Sequence, residues 1–327
     1  MEAQDGIQKR PRAVFMAFGT KGDVLPVAAV VSALAKEQQH YLFTFITHAA
    51  HEYLKLHMAA SNVSFCAIST PPVLPLKSNN DEAETGLQKL LPSFKTRAIE
   101  HRHRKECLTA VEKIFGKGLE VQGDFIAINF FALEGWHLAE FFQVPCVVTA
   151  PYVVPYSAPS TFERRFKIAQ PLLYKRLQAA SPKKVCWRDV MHWMWPLFTE
   201  RWASWRTDCL HLSSCPLTDP VTGLPISHGW PESPLLLYGF SKEVVESPDY
   251  WPANVHVCGF WFPTMDWESA SQVGPQNSHE TSVEQPTVDP LKSCENPSAP
   301  ASMSSFFVDD FMNSCKPIFI GLSSIGR

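Results

Sequence analysis

The stretch from Ala13 to Leu34 has the sequence AVFMAFGTKGDVLPVAAVVSAL, and its hydrophobic pattern changes in the middle. The residues up to Phe18 are small or apolar, with the length and composition of a buried parallel strand. Gly19 to Gly22 interrupts this run, and apolar residues then recur with helical spacing as far as Leu34. The pattern predicts a strand, a tight turn and a helix.

In an open parallel sheet, a turn of this kind lies at the carboxyl end of a strand, where the ligand crevice forms. Thr20 and Asp23 would be presented there. On local grounds alone, we expect Asp23 to stabilise the helix terminus, as an N-cap or first-turn carboxylate, rather than to act in catalysis. The glycine spacing matches neither the dinucleotide fingerprint nor the phosphate-binding P-loop.

The rest of the chain alternates strand and helix patterns at the pitch of βα units. Further strands are predicted at Tyr41–Thr47, Val63–Ile68, Asp124–Asn129, Cys146–Thr149, Leu235–Tyr238 and Asn254–Cys258. Helices are predicted near 48–57, 93–116 and 133–142, with an aromatic-rich helical region at 187–210. This order predicts an α/β fold with a doubly wound, Rossmann-like parallel sheet.

The composition changes along the chain and suggests four segments. We expect a polar tail at 1–11, the Rossmann-like domain at 12–262 and a disordered linker at 263–305. At 306–327, a helix and a buried strand resemble the start of a second α/β domain. Because a strand with nothing after it cannot pair its backbone, we expect the first half of a two-domain protein or a truncated product.

Charge and cysteine content exclude several function classes. The formal net charge of −3 gives no nucleic-acid footprint. The polar N-terminus lacks the apolar core of a signal peptide, and no apolar run is long enough to span a bilayer, so a cytoplasmic location is expected. Nine cysteines without a C-x-x-C pair favour reduced thiols over disulfides or a zinc site, and no metal is expected.

Several other residues are candidates for a binding crevice. Asn129 and His137 follow a predicted strand, although a single histidine there is more often a satisfied core residue. Tyr152 and Tyr156 lie in a proline-stiffened loop that either walls a pocket for a bulky apolar ligand or is a plain structural loop. The five tryptophans of 187–210 belong by default to the core; the alternatives are an acceptor cleft or a membrane surface.

Four motifs in this order resemble those of the plant and fungal sterol 3-beta-glucosyltransferases, which are UDP-dependent glycosyltransferases of the glycosyltransferase-B fold. The motifs are GTKGDVLP at 19–26, ALEGWHLAEFFQVP at 132–145, DYWPANVHVCGFWF at 249–262 and KPIFIGLSS at 316–324. The first resembles the family's GTRGDVQP and the last its KPIYIGFGS. The resemblance implies an N-terminal acceptor-binding domain and a C-terminal donor-binding domain.

The resemblance also implies a mechanism and a set of site residues. Asp23 matches the expected general base in an inverting transfer of glucose from UDP-glucose to a hydrophobic alcohol. With the crevice residues named above taken as its lining, the expected acceptor-binding residues are Thr20, Val24, Asn129, His137, Tyr152 and Tyr156. The implied donor-binding residues are Gly19, Ser323 and Ser324. No cofactor is implied, since the UDP-sugar is a co-substrate, and peripheral membrane contact is compatible with a lipid acceptor.

The chain departs from the family pattern at several positions. Lys21 and Leu25 stand where the family has arginine and glutamine, and Ser323 replaces a glycine. The family's glycine- and histidine-rich donor motif is absent, so we expect an acceptor half that is incomplete for activity alone. The alternative is a catalytically inactive, truncated lipid-binding or interaction domain. A Rossmann oxidoreductase is disfavoured because no nicotinamide fingerprint follows the first strand.

Overall fold

A computed structural model describes residues 9–72, 94–116, 121–151, 158–245, 248 and 250–262. The strands in these ranges are β1 Arg12–Met16, β2 Leu42–His48, β3 Val63–Ile68, β4 Phe125–Ile128, β5 Cys146–Ala150, β6 Leu235–Tyr238 and β7 Val255–Val257. They form one parallel sheet in the order β3-β2-β1-β4-β5-β6-β7. The chain starts in the middle of the sheet and extends it in both directions, so the predicted doubly wound α/β fold is confirmed.

Helices connect most of the strands. Those in the described ranges are α1 Lys21–Glu37, α2 Leu54–His57, α3 Phe94–Phe115, α4 Glu134–Phe142, α5 Phe162–Ala169, α6 Pro171–Ala179, α7 Trp187–Asp189 and α8 Ala203–Asp208. The helix predicted near 48–57 is instead a 3-10 turn at Ala49–His51 followed by the single turn of α2. None of the described helices is long and apolar enough to cross a bilayer.

The aromatic region predicted to be helical at 187–210 is broken into short pieces. Between α7 and α8 lie a π-helical turn at Val190–Met194 and two 3-10 turns, at Trp195–Phe198 and Glu200–Trp202. Pro196 has no amide to donate, and Thr199 is extended with φ −94° and ψ 151°, so a continuous helix cannot form.

The tryptophans of this region pack in the core. Trp193, Trp202 and Trp205 are only 1%, 2% and 5% exposed, while Trp187 and Trp195 are partly buried against the same core. Of the three roles considered from the sequence, burial therefore favours the core.

The central strand β1 is buried on both faces, which explains its continuous apolar sequence. Phe15 and its alternate neighbours pack with α1, where Val27 and Val31 are fully buried. Met16 and Phe18 point to the opposite face, against the core side chains of α3 and α4. Both faces therefore hold β1 firmly, and the turn at its carboxyl end is fixed in place.

Candidate functional site

The turn between β1 and α1 is built around a glycine with a left-handed backbone. Gly19 has φ +105°, and Thr20 then returns to an extended conformation as the N-cap of α1. The helix begins at Lys21, so the predicted strand, tight turn and helix are all present. The free amides of the helix terminus point toward the carboxyl edge of the sheet.

Asp23 closes this turn with its carboxylate. Its Oδ2 atom accepts hydrogen bonds from the Thr20 amide at 2.7 Å and from the Thr20 hydroxyl at 2.8 Å. The side chain is 7% exposed and lies in the first turn of α1, where a negative charge is favourable. The predicted first-turn role of Asp23 in stabilising the helix terminus is confirmed; its role as general base stays a prediction.

The absence of a side chain at Gly19 makes room for the carboxylate of Asp23. A Cβ atom added to Gly19 would lie 2.5 Å from Oδ2 and 2.9 Å from Cγ of Asp23. Both the positive φ and this close approach require glycine. Gly19 and Asp23 are therefore mutually dependent parts of one turn, which the sequence motif did not reveal.

His51 is a further residue of the site that sequence reasoning missed. Its Nε2 atom lies 2.9 Å from the carbonyl oxygen of Gly19, and because a carbonyl oxygen only accepts, Nε2 is the donor. Burial and the charge of Lys21 lower the pKa of His51, although the Gly19 bond and the charge of Asp23 oppose the shift. A signal was available, since His51 closely follows the carboxyl end of a predicted strand.

Asn129 joins the turn to the neighbouring strand. Its amide Nδ2 donates to the carbonyl oxygens of Phe18 at 2.8 Å and Asp23 at 3.2 Å, and its Oδ1 accepts from the Phe18 amide at 3.2 Å. The side chain is 1% exposed. The structure thus brings Gly19, Thr20, Asp23 and Asn129 together, and it uses Asn129 to position the backbone on either side of the turn.

A cluster of polar side chains extends the same edge of the sheet beyond the turn. His48, the last residue of β2, has its Nδ1 atom 2.7 Å from the carbonyl oxygen of Thr70, and the Thr70 hydroxyl lies 2.7 Å from Nδ1 of His103. The ring of Phe18 contacts both imidazoles, with centroids 4.8 and 4.6 Å away. Burial, followed by the proximity of His103, lowers the pKa of His48 to about 4.

The two other described candidates lie inside the protein. Val24 is fully buried in the core between α1 and the sheet. His137 has no exposed surface and packs against Trp202, with ring centroids 4.7 Å apart. Neither side chain reaches the carboxyl edge at the surface.

The remaining candidates lie outside the described residues. They are Tyr152, Tyr156, Ser323 and Ser324. Their roles beside the acceptor and the donor stay predictions.

His137, which was predicted to line the acceptor crevice, belongs to a buried polar network. Arg206, itself fully buried, donates from Nη1 to Nδ1 of His137 at 2.8 Å and makes a bidentate ion pair with Glu140 at 2.7 and 2.9 Å. Its Nε donates to the carbonyl oxygen of Ser213 at 2.7 Å. The network ties α4 to α8 and to the segment that follows α8.

A cavity of about 550 Å³ lies at the opposite edge of the sheet from this turn. It is lined by the residues that lead into β5 and β6, such as Pro145 and Pro234, together with Trp136 and the far end of α4. Because parallel strands place their ligand crevice at the carboxyl ends, this cavity is not the site built around Asp23.

No protein-family model matches the chain, and no curated protein matches it. Solved structures do. CalG4, the calicheamicin glycosyltransferase, matches with 15% identity and a TM-score of 0.41, over 76% of this chain and 53% of that chain. A kitacinnamycin glycosyltransferase matches with 12% identity and a TM-score of 0.40, over 76% and 50%.

A third match is a UGT transferase from Siraitia grosvenorii in complex with UDP, with 13% identity and a TM-score of 0.34, over 71% of this chain and 45% of that chain. The chain thus spans about half the length of these glycosyltransferase structures.

Proposed function

We propose that this chain is the acceptor-binding half of a UDP-glucose-dependent glucosyltransferase that acts on a sterol or another hydrophobic alcohol. The observation on which the proposal depends is the carboxylate of Asp23, fixed in a GTKGDVLP turn at the carboxyl edge of a parallel sheet. This is the edge at which such sheets bind their ligands. The motif supports the donor and the acceptor class through its resemblance to the sterol glucosyltransferases.

In this mechanism, the acceptor hydroxyl lies against the β1–α1 turn and transfers its proton to Asp23 as it attacks the anomeric carbon. The glycosyl–phosphate bond breaks on the opposite face, UDP leaves, and the anomeric configuration inverts. Thr20 donates two hydrogen bonds to one carboxylate oxygen and thereby fixes the carboxylate plane. Stabilisation of the departing diphosphate is assigned to groups outside the described residues.

Neutral histidines around the turn suit an uncharged acceptor. His51 and His48 are both buried with lowered pKa values, so neither adds a positive charge beside Asp23 at neutral pH. A nearby imidazolium would lower the basicity of the carboxylate. The buried ring of Phe18 packs against the imidazoles of His48 and His103 and helps to hold them in place.

A second candidate function is a catalytically inactive domain that binds a lipid or another partner. The observation that favours it is the use of Asp23 within its own helix: the carboxylate is 7% exposed and accepts two hydrogen bonds from Thr20. If the carboxylate of Asp23 served only to cap its helix, it would take no part in sugar transfer to an alcohol.

The test is to incubate the purified chain with UDP-glucose and a sterol and to measure both sterol binding and sterol glucoside. Glucoside formation that depends on both substrates would support the transferase and would contradict the expectation that the chain is incomplete for activity alone. Saturable sterol binding without glucoside would support the acceptor site, which both candidates require, and would give no support to transfer by this chain alone. Absence of both would contradict an acceptor site in this chain.

A further inference from the structure

Helices α5 and α6 form a strongly basic surface on an otherwise slightly acidic protein. The segment from Thr161 to Lys184 contains seven basic residues and one acidic residue, whereas the whole chain has a net charge of −3. Such a local excess of positive charge is a signal for an anionic partner.

The basic side chains on the outer face are available to a partner. Arg164, Arg165 and Lys175 are exposed, and no ion pair joins them to any of the described residues. The acidic residue of α5, Glu163, is directed inward and accepts a hydrogen bond from the hydroxyl of Tyr174 at 2.6 Å. The positive charge of this face is therefore not neutralised locally.

Two large aliphatic side chains are exposed where α5 and α6 meet. Ile168 at the end of α5 is 76% exposed, and Leu172 at the start of α6 is 53% exposed. They lie on either side of Gln170, where φ −135° and ψ 61° end one helix before the next begins. Four residues apart, their Cα atoms are separated by at most about 15 Å.

Neighbouring positions place cations beside both aliphatic residues. Arg164 and Arg165 precede Ile168 by four and three residues on α5, and Lys175 follows Leu172 by three on α6, so each pair lies on one helix face. We call the five residues Arg164, Arg165, Ile168, Leu172 and Lys175 the α5–α6 corner.

The inner faces of the two helices hold the corner rigidly. Phe166 is 4% exposed, and its ring centroid lies 5.3 Å from those of Trp187 and Phe198. On α6, Leu173 and Leu177 are buried in the same core. Ile168 and Leu172 are thus not needed to fill the core, and their exposure leaves apolar area open to solvent.

We infer that the α5–α6 corner docks on an anionic lipid surface, with Ile168 and Leu172 inserted at the headgroup–acyl boundary and the surrounding cations on the lipid headgroups. Combined apolar burial and electrostatic attraction is the usual mode of interfacial binding. A nucleic acid would satisfy the cations but would leave the two aliphatic side chains in water, and for that reason we favour the membrane. The inference does not depend on sugar transfer by this chain.

The electrostatic part is tested with the full chain and vesicles of phosphatidylcholine, with or without phosphatidylserine. We expect much stronger binding to the anionic vesicles than to the neutral ones, where only the apolar insertion contributes. A double variant R164Q/R165Q should bind roughly 25-fold more weakly, at roughly fivefold for each cation removed. The matched control K36Q/K55Q removes two exposed lysines from other helices and should bind as the wild type does. Equal binding to both vesicles, or an equal loss in the control, would overturn the inference.

The apolar part is tested by raising the salt concentration from about 0.1 to 1 M, which shortens the Debye length from about 10 to 3 Å. The wild type should retain a residual binding that the variant I168S/L172S lacks. The control L56S/V221S replaces two aliphatic residues that are 80% and 91% exposed elsewhere and should retain it. Residual binding equal in the wild type and I168S/L172S would contradict insertion.

Two further measurements check the folding of the variants and the chemistry of the anionic partner. Thermal unfolding should show that all four variants fold as the wild type does, because every substituted side chain is exposed. Retention on heparin and on single-stranded DNA reports on polyanions other than lipids. If R164Q/R165Q weakened retention on these supports but left vesicle binding unchanged, the corner would be a polyanion site and the membrane assignment would be wrong.

Discussion

Arg206 donates a hydrogen bond from Nη1 to Nδ1 of His137, 2.8 Å away, in a part of the core where neither side chain is exposed. Because a guanidinium group can only donate, Nδ1 must be the acceptor and the imidazole is neutral. Burial, together with the charges of Arg206 and Arg104, lowers the pKa of His137 far below its usual value. The pair holds α8 against α4.

Replacing Arg206 should destabilise the protein strongly. Arg206→Met leaves Nδ1 of the buried His137 and the carbonyl oxygen of Ser213 without their donor, and each buried acceptor left unpaired costs about 1–3 kcal/mol. The partly exposed Glu140 also loses its ion-pair partner. Arg201→Met, which removes a half-exposed guanidinium, should cost less than about 1 kcal/mol. Urea unfolding measures both. Equal stability of the two variants would mean that the buried network contributes nothing.

Gly19→Ala should destabilise the β1–α1 turn. The alanine would have to keep φ +105°, and its Cβ would lie 2.5 Å from Oδ2 of Asp23. We therefore expect the free energy of unfolding to fall by about 1–3 kcal/mol. Gly22→Ala is the matched control, since its Cβ would have only the Thr20 hydroxyl, 4.0 Å away, as a neighbour within that distance. In a helical position, that change should be neutral or slightly stabilising. A Gly19→Ala protein as stable as Gly22→Ala would contradict the strained turn.

The sheet could be predicted from sequence because each strand has a local signal. The strands of a doubly wound sheet are buried on both faces, so they appear as short apolar runs between turns. The prediction of a helical region at 187–210 was wrong in its continuity. Tertiary packing of the tryptophans and the missing amide of Pro196 outweigh the helical spacing of the apolar residues. Periodicity does not detect such an interruption.

The contacts within the site were predictable only where the two partners are close in sequence. Thr20 and Asp23 are three residues apart, and their capping interaction follows from helix-terminus chemistry. The bonds from Asn129 to the Asp23 carbonyl oxygen and from His51 to the Gly19 carbonyl oxygen span 106 and 32 residues. Only the fold brings these groups together, so no local pattern could assign their partners.

Stability should fall between pH 6.5 and pH 4 because His48 is buried in its neutral form. Its pKa is about 4 in the folded protein and 6.5 in the unfolded chain, so the unfolded state binds more protons in this window. The contribution of neutral His48 to the free energy of unfolding is complete above pH 6.5. As the pH falls toward 4, this contribution is lost, and the free energy of unfolding decreases by roughly 1–3 kcal/mol.

The variant His48→Asn isolates this contribution. The amide of Asn can keep the hydrogen bond to the Thr70 carbonyl oxygen, but it does not titrate. Urea unfolding at several pH values should therefore show a shallower fall for His48→Asn than for the wild type. Identical slopes would mean that His48 does not contribute to the acid sensitivity.

Asp23→Asn should separate catalysis from helix capping. The amide oxygen of Asn can still accept the hydrogen bond from the Thr20 amide, so the free energy of unfolding should change by less than about 1 kcal/mol. An amide cannot take the proton of an acceptor hydroxyl, so glucoside formation should fall by about 10²–10⁴-fold in a preparation that forms glucoside. Sterol affinity should be unchanged, because the acceptor is neutral. Glucoside formation measured by mass spectrometry, alongside thermal unfolding and sterol titration, decides between the roles. Undiminished turnover in Asp23→Asn would restrict this carboxylate to its structural role in α1.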